Sequence, residues 1–145
     1  MKELYTINDI AQMTGLSTRT VRNYINSGVL KGEKIDGVWQ FTAQEYSDFI
    51  GDRNVMPSIK AKKNAIIYDF LLDEKKKQEE VCIILDIPTS DGEEAMEISG
   101  YFCDGVNSLG EGVRLGFEYH GKNARVILKG EAESVLKLAG AYFAR

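Results

Sequence analysis

Four side chains carry the chemistry that is easiest to read in this chain. Arg19, Arg22, Asn23 and Asn26 are spaced i, i+3, i+4 and i+7. On a helix that spacing gathers them on one face. The face holds two guanidiniums and two amides, with no acid and no large apolar group. These side chains donate to phosphate oxygens and pair with base edges. A plain amphipathic surface helix mixes in Glu or Asp, so this face suits the major groove of DNA. Ser17 and Thr18, at the N-terminal end of the same helix, join the candidate set. So do Tyr24, Lys31, Lys34 and Gln40, for reasons given below.

The elements that must position this face lie in TINDIAQMTGLSTRTVRNYINSG, residues 6–28. Thr6 is a candidate N-cap with Asp9 three residues on. Ile7, Ile10 and Ala11 share one face of a first helix. Gly15 stands where the chain must turn sharply. Ser17 caps a second helix that ends at Gly28. Val21, Tyr24, Ile25 and Gly28 form its inward stripe. Ala11, Gly15 and Val21 supply the small, turning and branched residues of a helix-turn-helix at its spacing. The alternative is a plain helical hairpin in a larger core.

Asp36-Gly37 then marks a two-residue hairpin between Lys34-Ile35 and Val38–Phe41. Lys31 and Lys34 flank the polar tip, within reach of phosphates. Alternation puts Trp39 and Phe41 on one hairpin face, with Phe41 packing inward, and Gln40 on the other as a polar contact to DNA. Thr42 and Glu45 form a capping box for a third helix, with Tyr46, Phe49 and Ile50 inward and an end near Gly51.

Residues 5–50 resemble the winged helix-turn-helix of the MerR type and the related excisionase-like modules. The resemblance rests on TINDIAQMTGLSTRTVRNYINSGVL, the hairpin and FTAQEYSDFI. It implies that Arg22 and Tyr24 belong to the DNA-contacting or helix-supporting set. The wing, Val38-Trp39-Gln40-Phe41, is closer to the excisionase-like pattern. MerR proteins also use an antiparallel coiled coil after the DNA-binding part, which would make the next helix an inter-subunit one.

That helix is expected from Ser58, as N-cap, to about Lys77. Ile59, Ile66, Ile67, Phe70 and Leu71 form its stripe, with Lys63 filling the gap. Lys75, Lys76 and Lys77 complement its C-terminal dipole. It either packs on its own chain or dimerises. Lys60, Lys62 and Lys63 read as a solvated face, with a DNA contact as the alternative.

From residue 81 the pattern is β-α-β-β-α. VCIILDIP reads as a buried strand, and a helix follows from about Asp91 to Val106 with Ser90 or Asp91 as cap. Gly110 and Gly112 mark a loop. Val113, Leu115, Phe117 and Tyr119 alternate on a strand, ARVILKG returns after a turn at Gly121-Lys122-Asn123, and a last helix puts Val135, Leu138, Ala139 and Tyr142 inward. Three strands leave exposed edges, which a second copy or the preceding helix would cover. The fold class is α+β: a winged helix-turn-helix over residues 1–53, a connecting or dimerisation helix over 54–79, and an α+β dimerisation or sensor domain over 80–145.

The chain has 145 residues and a net charge of −4. Residues 1–56 carry 6 Lys/Arg against 7 Asp/Glu, residues 57–80 carry 6 against 5, and residues 81–145 carry 6 against 10. Indiscriminate coating of DNA is thereby disfavoured, and a single module should bind poorly, so a homodimer is expected. No apolar run is long enough for a bilayer, and the start lacks the apolar stretch of a signal peptide, so a cytoplasmic protein is expected.

Catalytic groups are wanting. Cys82 and Cys103 have no CxxC spacing and read as reduced thiols, with a redox pair as the alternative. His120 reads as a solvent-facing strand end, and a Cys103–His120 pair would need proximity. The glycines of Ser108–Gly112 do not open a helix after a strand and are no phosphate cradle. Glu93-Glu94 and Glu131/Glu133 sit where helix dipoles place acids. The chain is expected to be no enzyme and to need no cofactor or metal. A small-molecule effector would meet Tyr101, Phe102, Phe117 and Tyr119, although core packing is the commoner fate of such residues. The expected function is a bacterial-type, sequence-specific transcriptional regulator. The alternatives are an excisionase-like architectural or recombination accessory factor, and an enzyme carrying a DNA-targeting module.

Overall fold

The computed structural model describes residues 2–109 and 112–145. Strand β1 (Leu4–Tyr5) leads into α1 (Ile7–Thr14) and α2 (Thr18–Asn26). A hairpin of β2 (Glu33–Ile35) and β3 (Val38–Thr42) follows, then α3 (Ala43–Ile50). Two capping boxes set the helix starts. The Thr6 hydroxyl accepts from Asp9 N–H while Asp9 accepts from Thr6 N–H, and Thr42 and Glu45 do the same at α3. Gly15 ends α1 at φ +79°, a region that side chains other than glycine's enter at a cost. The hairpin turn puts Asp36 and Gly37 both at positive φ, as a type I′ turn requires.

The two-residue β1 was not legible in the sequence. Leu4 pairs with Thr42 and Tyr5 with Phe41, so β3 lies between β1 and β2. Two residues carry no periodicity, and only the long-range partner makes them a strand.

Helix α4 spans Met56–Leu72. It starts before the expected Ser58 cap, on Val55, with no side-chain cap and Pro57 in the first turn, where a missing N–H is harmless. It also ends before Lys75–Lys77. Lys76 nevertheless reaches back, its ammonium donating to the Phe70 and Asp73 carbonyls at 2.7 and 2.5 Å. Of the expected stripe, Ile59, Lys63 and Ile66 are buried, Ile67 and Phe70 are half-buried, and Leu71 is exposed.

The remaining elements are β4 (Glu80–Pro88), α5 (Gly92–Leu109), β5 (Val113–His120), β6 (Asn123–Glu131) and α6 (Ala132–Ala144). Helix α5 begins on Asp91, whose carboxylate accepts from Glu94 N–H at 2.9 Å. It runs a turn beyond the expected Val106. Gly110 and Glu111 of the expected loop lie outside the described residues. The sheet order is β4-β6-β5, all antiparallel. One face presents Val113, Leu115 and Phe117 of β5 with Ala124, Val126 and Leu128 of β6, all buried, to α5 and α6. The other face meets α4, where Gly116 lies directly under Lys63 and Ile66. Helices therefore cover both faces, with α4 on a face rather than an edge. VCIILDIP is not a buried strand. It forms the edge strand β4, whose inner residues are half-buried, because only β6 pairs with it.

One apolar core joins the first fifty residues to this sheet. Tyr46 of α3 packs its ring 6.5 Å from Phe117 of β5 and 5.1 Å from Tyr5. The Tyr5 hydroxyl donates to the Met96 carbonyl of α5 at 3.4 Å. Gly100 lets β1 approach: a Cβ there would stand 2.9 Å from Lys2 Cβ and 3.3 Å from the Tyr5 oxygen. That contact explains a glycine in mid-helix, which otherwise costs about 1 kcal/mol relative to alanine.

Candidate nucleic-acid interface

Helix α2 is held from three sides. Val21 is fully buried beneath it. Tyr24 turns inward and meets the Phe49 ring edge-on, with centroids 5.4 Å apart. Its backbone carbonyl accepts from both Val29 and Leu30 N–H at the helix exit. Tyr24 is thus placed to support the helix against α3. The Ser17 hydroxyl is the N-cap. It accepts from Thr20 N–H at 3.1 Å and meets the Thr20 hydroxyl at 2.9 Å, so its first duty is to its own helix.

The opposite side of α2 is open. Thr18, Arg19, Arg22, Asn23 and Asn26 are all exposed. Neither Arg19 nor Arg22 forms a salt bridge among the described residues. The two guanidiniums and two amides are therefore unengaged donors on one helical face. No acid of α2 competes with a phosphate for them, because α2 contains none.

The hairpin adds a mixed contribution. Lys31 and Lys34 are exposed. Lys34 pairs across the hairpin with Trp39, which stacks on the buried Phe41 at 6.4 Å and 11°. Gln40 is half-buried and stands opposite Glu33 on the other hairpin face. Its amide can donate, yet a carboxylate shares its face. Near the tip, Ile35 and Val38 face each other, both exposed.

Lysines 60, 62 and 63 separate in space. Lys63 is buried and ion-paired with Glu118. Burial pulls its ammonium pKa down, against the opposing pull of the Glu118 carboxylate. Lys60 borders a shallow depression with Glu118, His120, Asn123 and Arg125. Lys62 packs on the turn between α1 and α2: a Cβ on Gly15 would fall 2.8 Å from Lys62 Cβ. Its side chain is otherwise exposed. It is the one lysine of α4 that the fold carries to the helix-turn-helix. The helical spacing that buries Lys63 also rotates Lys62 out of the stripe, and that is the signal available in the sequence.

A polar network buttresses α1 from behind. Asp9 accepts from Thr6 N–H and from Asn107 Nδ2, each at 3.0 Å, and pairs with Lys2 at 3.3 Å. Burial works against the Asp9 charge, but these bonds outweigh it and hold its pKa below the usual carboxylate value. Lys2, itself opposed by burial, is lifted to about 12 by Asp104 and Asp9. Beside them burial pushes the Cys103 thiol up to about 12, far from a reactive thiolate.

The other chemical candidates are not brought together. Both cysteines are free, and they lie on opposite sides of the second sheet. Cys103 is buried in α5, while His120 is exposed at the end of β5. Phe102 and Phe117 are core residues, and Tyr101 edges an open depression with Glu97, Asp104 and Tyr142. Among the described residues no group of His, Cys, Asp and Glu is placed to hold a metal, and no helix is long and apolar enough to cross a membrane.

Residues 4–50 match the family model described as a helix-turn-helix domain. This part of the chain is therefore a helix-turn-helix of the DNA-binding kind. The match ends with α3 and assigns nothing from α4 onward. No curated protein and no solved structure matches the chain.

Proposed function

We propose that the chain is a sequence-specific transcriptional regulator of MerR-like type, cytoplasmic and dimeric, which lays α2 in the major groove of double-stranded DNA. The observation that carries this is the open face of α2, with Arg19, Arg22, Asn23 and Asn26 exposed and, among the described residues, unpaired with any acid. The guanidiniums and amides read base edges or anchor phosphates, while Lys31 and Lys34 hold the flanking backbone through the wing. Thr18 lies at the helix N-terminus, where the dipole favours a phosphate. Lys62, at the turn, adds a phosphate contact from α4. The part from α4 onward dimerises or senses an effector, and the chain works without catalysis or a cofactor.

Selection of preferred duplexes from random DNA, at a stated salt concentration with non-specific competitor, tests this reading. A two-fold symmetric motif supports it, and no enrichment rejects it. The second reading is an excisionase-like accessory factor. The hairpin favours it, because β3 carries Trp39 and Gln40 and no basic residue. Enrichment of direct repeats, with bending and no effect on transcription, would select that reading instead.

A further inference from the structure

Strand β4 is an edge left unprotected. It runs nine residues in unbroken register with β6, from Glu80 opposite Glu131 to Pro88 opposite Asn123. The other sheet edge, β5, is flanked by α1. Among the described residues β4 packs extensively on β6 and more lightly on α6. Alternate N–H and C=O groups along its outer side thus face away from the sheet. Proteins blunt such edges with lysine, an interior proline, a bulge or a short strand. Val81 to Leu85 has none of these, and the charged and proline residues of β4, Glu80, Asp86 and Pro88, stand to either side of that stretch.

Apolar side chains line the same edge on both faces. The inner-face residues Val81, Ile83, Leu85 and Ile87 remain half-buried, whereas their partners Val126 and Leu128 on β6 are fully buried. Helix α6 lies over β6 and β4, with Leu138 turned towards Gly105 of α5. Helical spacing puts Leu136 and Phe143 on the flank of α6 away from Leu138 and α5, and they are 55% and 64% exposed. On the other face Ile84 is 48% exposed.

We propose that β4 pairs antiparallel with β4 of a second copy of this chain, centred on Ile84. The occupant is specified by the edge itself. In that register Val81 faces Ile87 and Ile83 faces Leu85, so every inner-face pair is apolar. Ile84 faces its own counterpart, as a two-fold axis demands. Cys82 faces Asp86 and Glu80 faces Pro88, so no like charges oppose one another. The result is a continuous six-stranded sheet, with Leu136 and Phe143 of both copies closing over the seam. This names the interface behind the dimer proposed above, and its test contains no DNA. Failure of the interface and failure of DNA recognition are therefore separately visible.

Sedimentation velocity of the full chain across a concentration series decides it. Dimer mass is expected, with Ile84→Lys and Phe143→Asp each weakening association at least tenfold while circular dichroism stays unchanged. Ile84 and Phe143 are 48% and 64% exposed in the single chain, and the unchanged circular dichroism separates lost association from lost fold. Tyr68→Asp, on the outward face of α4 at 62% exposure, is expected to leave association unchanged. A monomer at every concentration, or a dimer indifferent to both β4-side substitutions, overturns the proposal.

Discussion

Asn107 of α5 donates to the Asp9 carboxylate of α1 at 3.0 Å, across 98 positions of sequence. That carboxylate also completes the capping box of α1. One buried charge therefore caps the first helix of the helix-turn-helix and fixes it to the body of the protein. Asp9→Asn is expected to cost about 1 to 3 kcal/mol at neutral pH, from a lost cap bond and a weakened charged hydrogen bond. The folded pKa of Asp9 is lowered, so its contribution is present above the unfolded value of 3.8 and is lost as pH falls through the folded one. Urea melts of both forms from neutral to acid pH check this: the gap between them should close as the pH drops.

Arg22→Ala is expected to reduce DNA affinity by at least tenfold, about 1.4 kcal/mol or more, and Arg19→Ala to act in the same direction. Among the described residues neither guanidinium bonds to the protein, so thermal stability should hold. Fluorescence anisotropy with the selected duplex measures the first, and calorimetry the second. Wild-type affinity in both variants would remove α2 as the reading helix.

Lys62→Ala is expected to weaken binding about equally across sequences and to lower the salt slope by about one. Lys60→Ala serves as the control, because Lys60 lies towards His120 and Arg125. Equal slopes for the two variants would place Lys62 off the DNA.

The Lys63–Glu118 pair behaves differently. Glu118→Gln leaves a buried ammonium without its counter-charge and is expected to destabilise by about 3 kcal/mol or more. Replacing both partners together, Lys63→Met with Glu118→Gln, removes both charges and should lie much closer to wild type than Glu118→Gln alone. The folded pKa of Lys63 is lowered, so the unfolded chain holds the proton longer and stability rises with pH in that window. Chemical denaturation of Glu118→Gln at rising alkaline pH should therefore recover part of the loss.

Local features were legible in the sequence because their causes are local. Thr6, Ser17, Thr42 and Asp91 announce helix starts through side chains that bond three residues ahead, and Gly15 and Asp36-Gly37 announce turns through backbone preference. The start of α4 was misplaced because Val55 offers no side-chain cap, so Ser58 looked the better one. The edge position of β4 was hidden because an apolar run looks the same in the middle of a sheet as at its margin. The ring contact between Tyr46 and Phe117 spans elements of different periodicity, and no window of sequence contains both. The role of Lys62 depends on where α4 lies, which only packing decides.

One continuous core runs from α3 into β5 and packs the helix-turn-helix against the sheet. Two such chains joined at β4 would form a caliper with fixed jaws. A regulator on flexible tethers tolerates half-sites at several separations, whereas a caliper accepts one. Inserting about 5 base pairs, half a turn of the duplex, between the half-sites turns one of them to the far side of the DNA. Binding by this protein should then fall to the level of a single half-site.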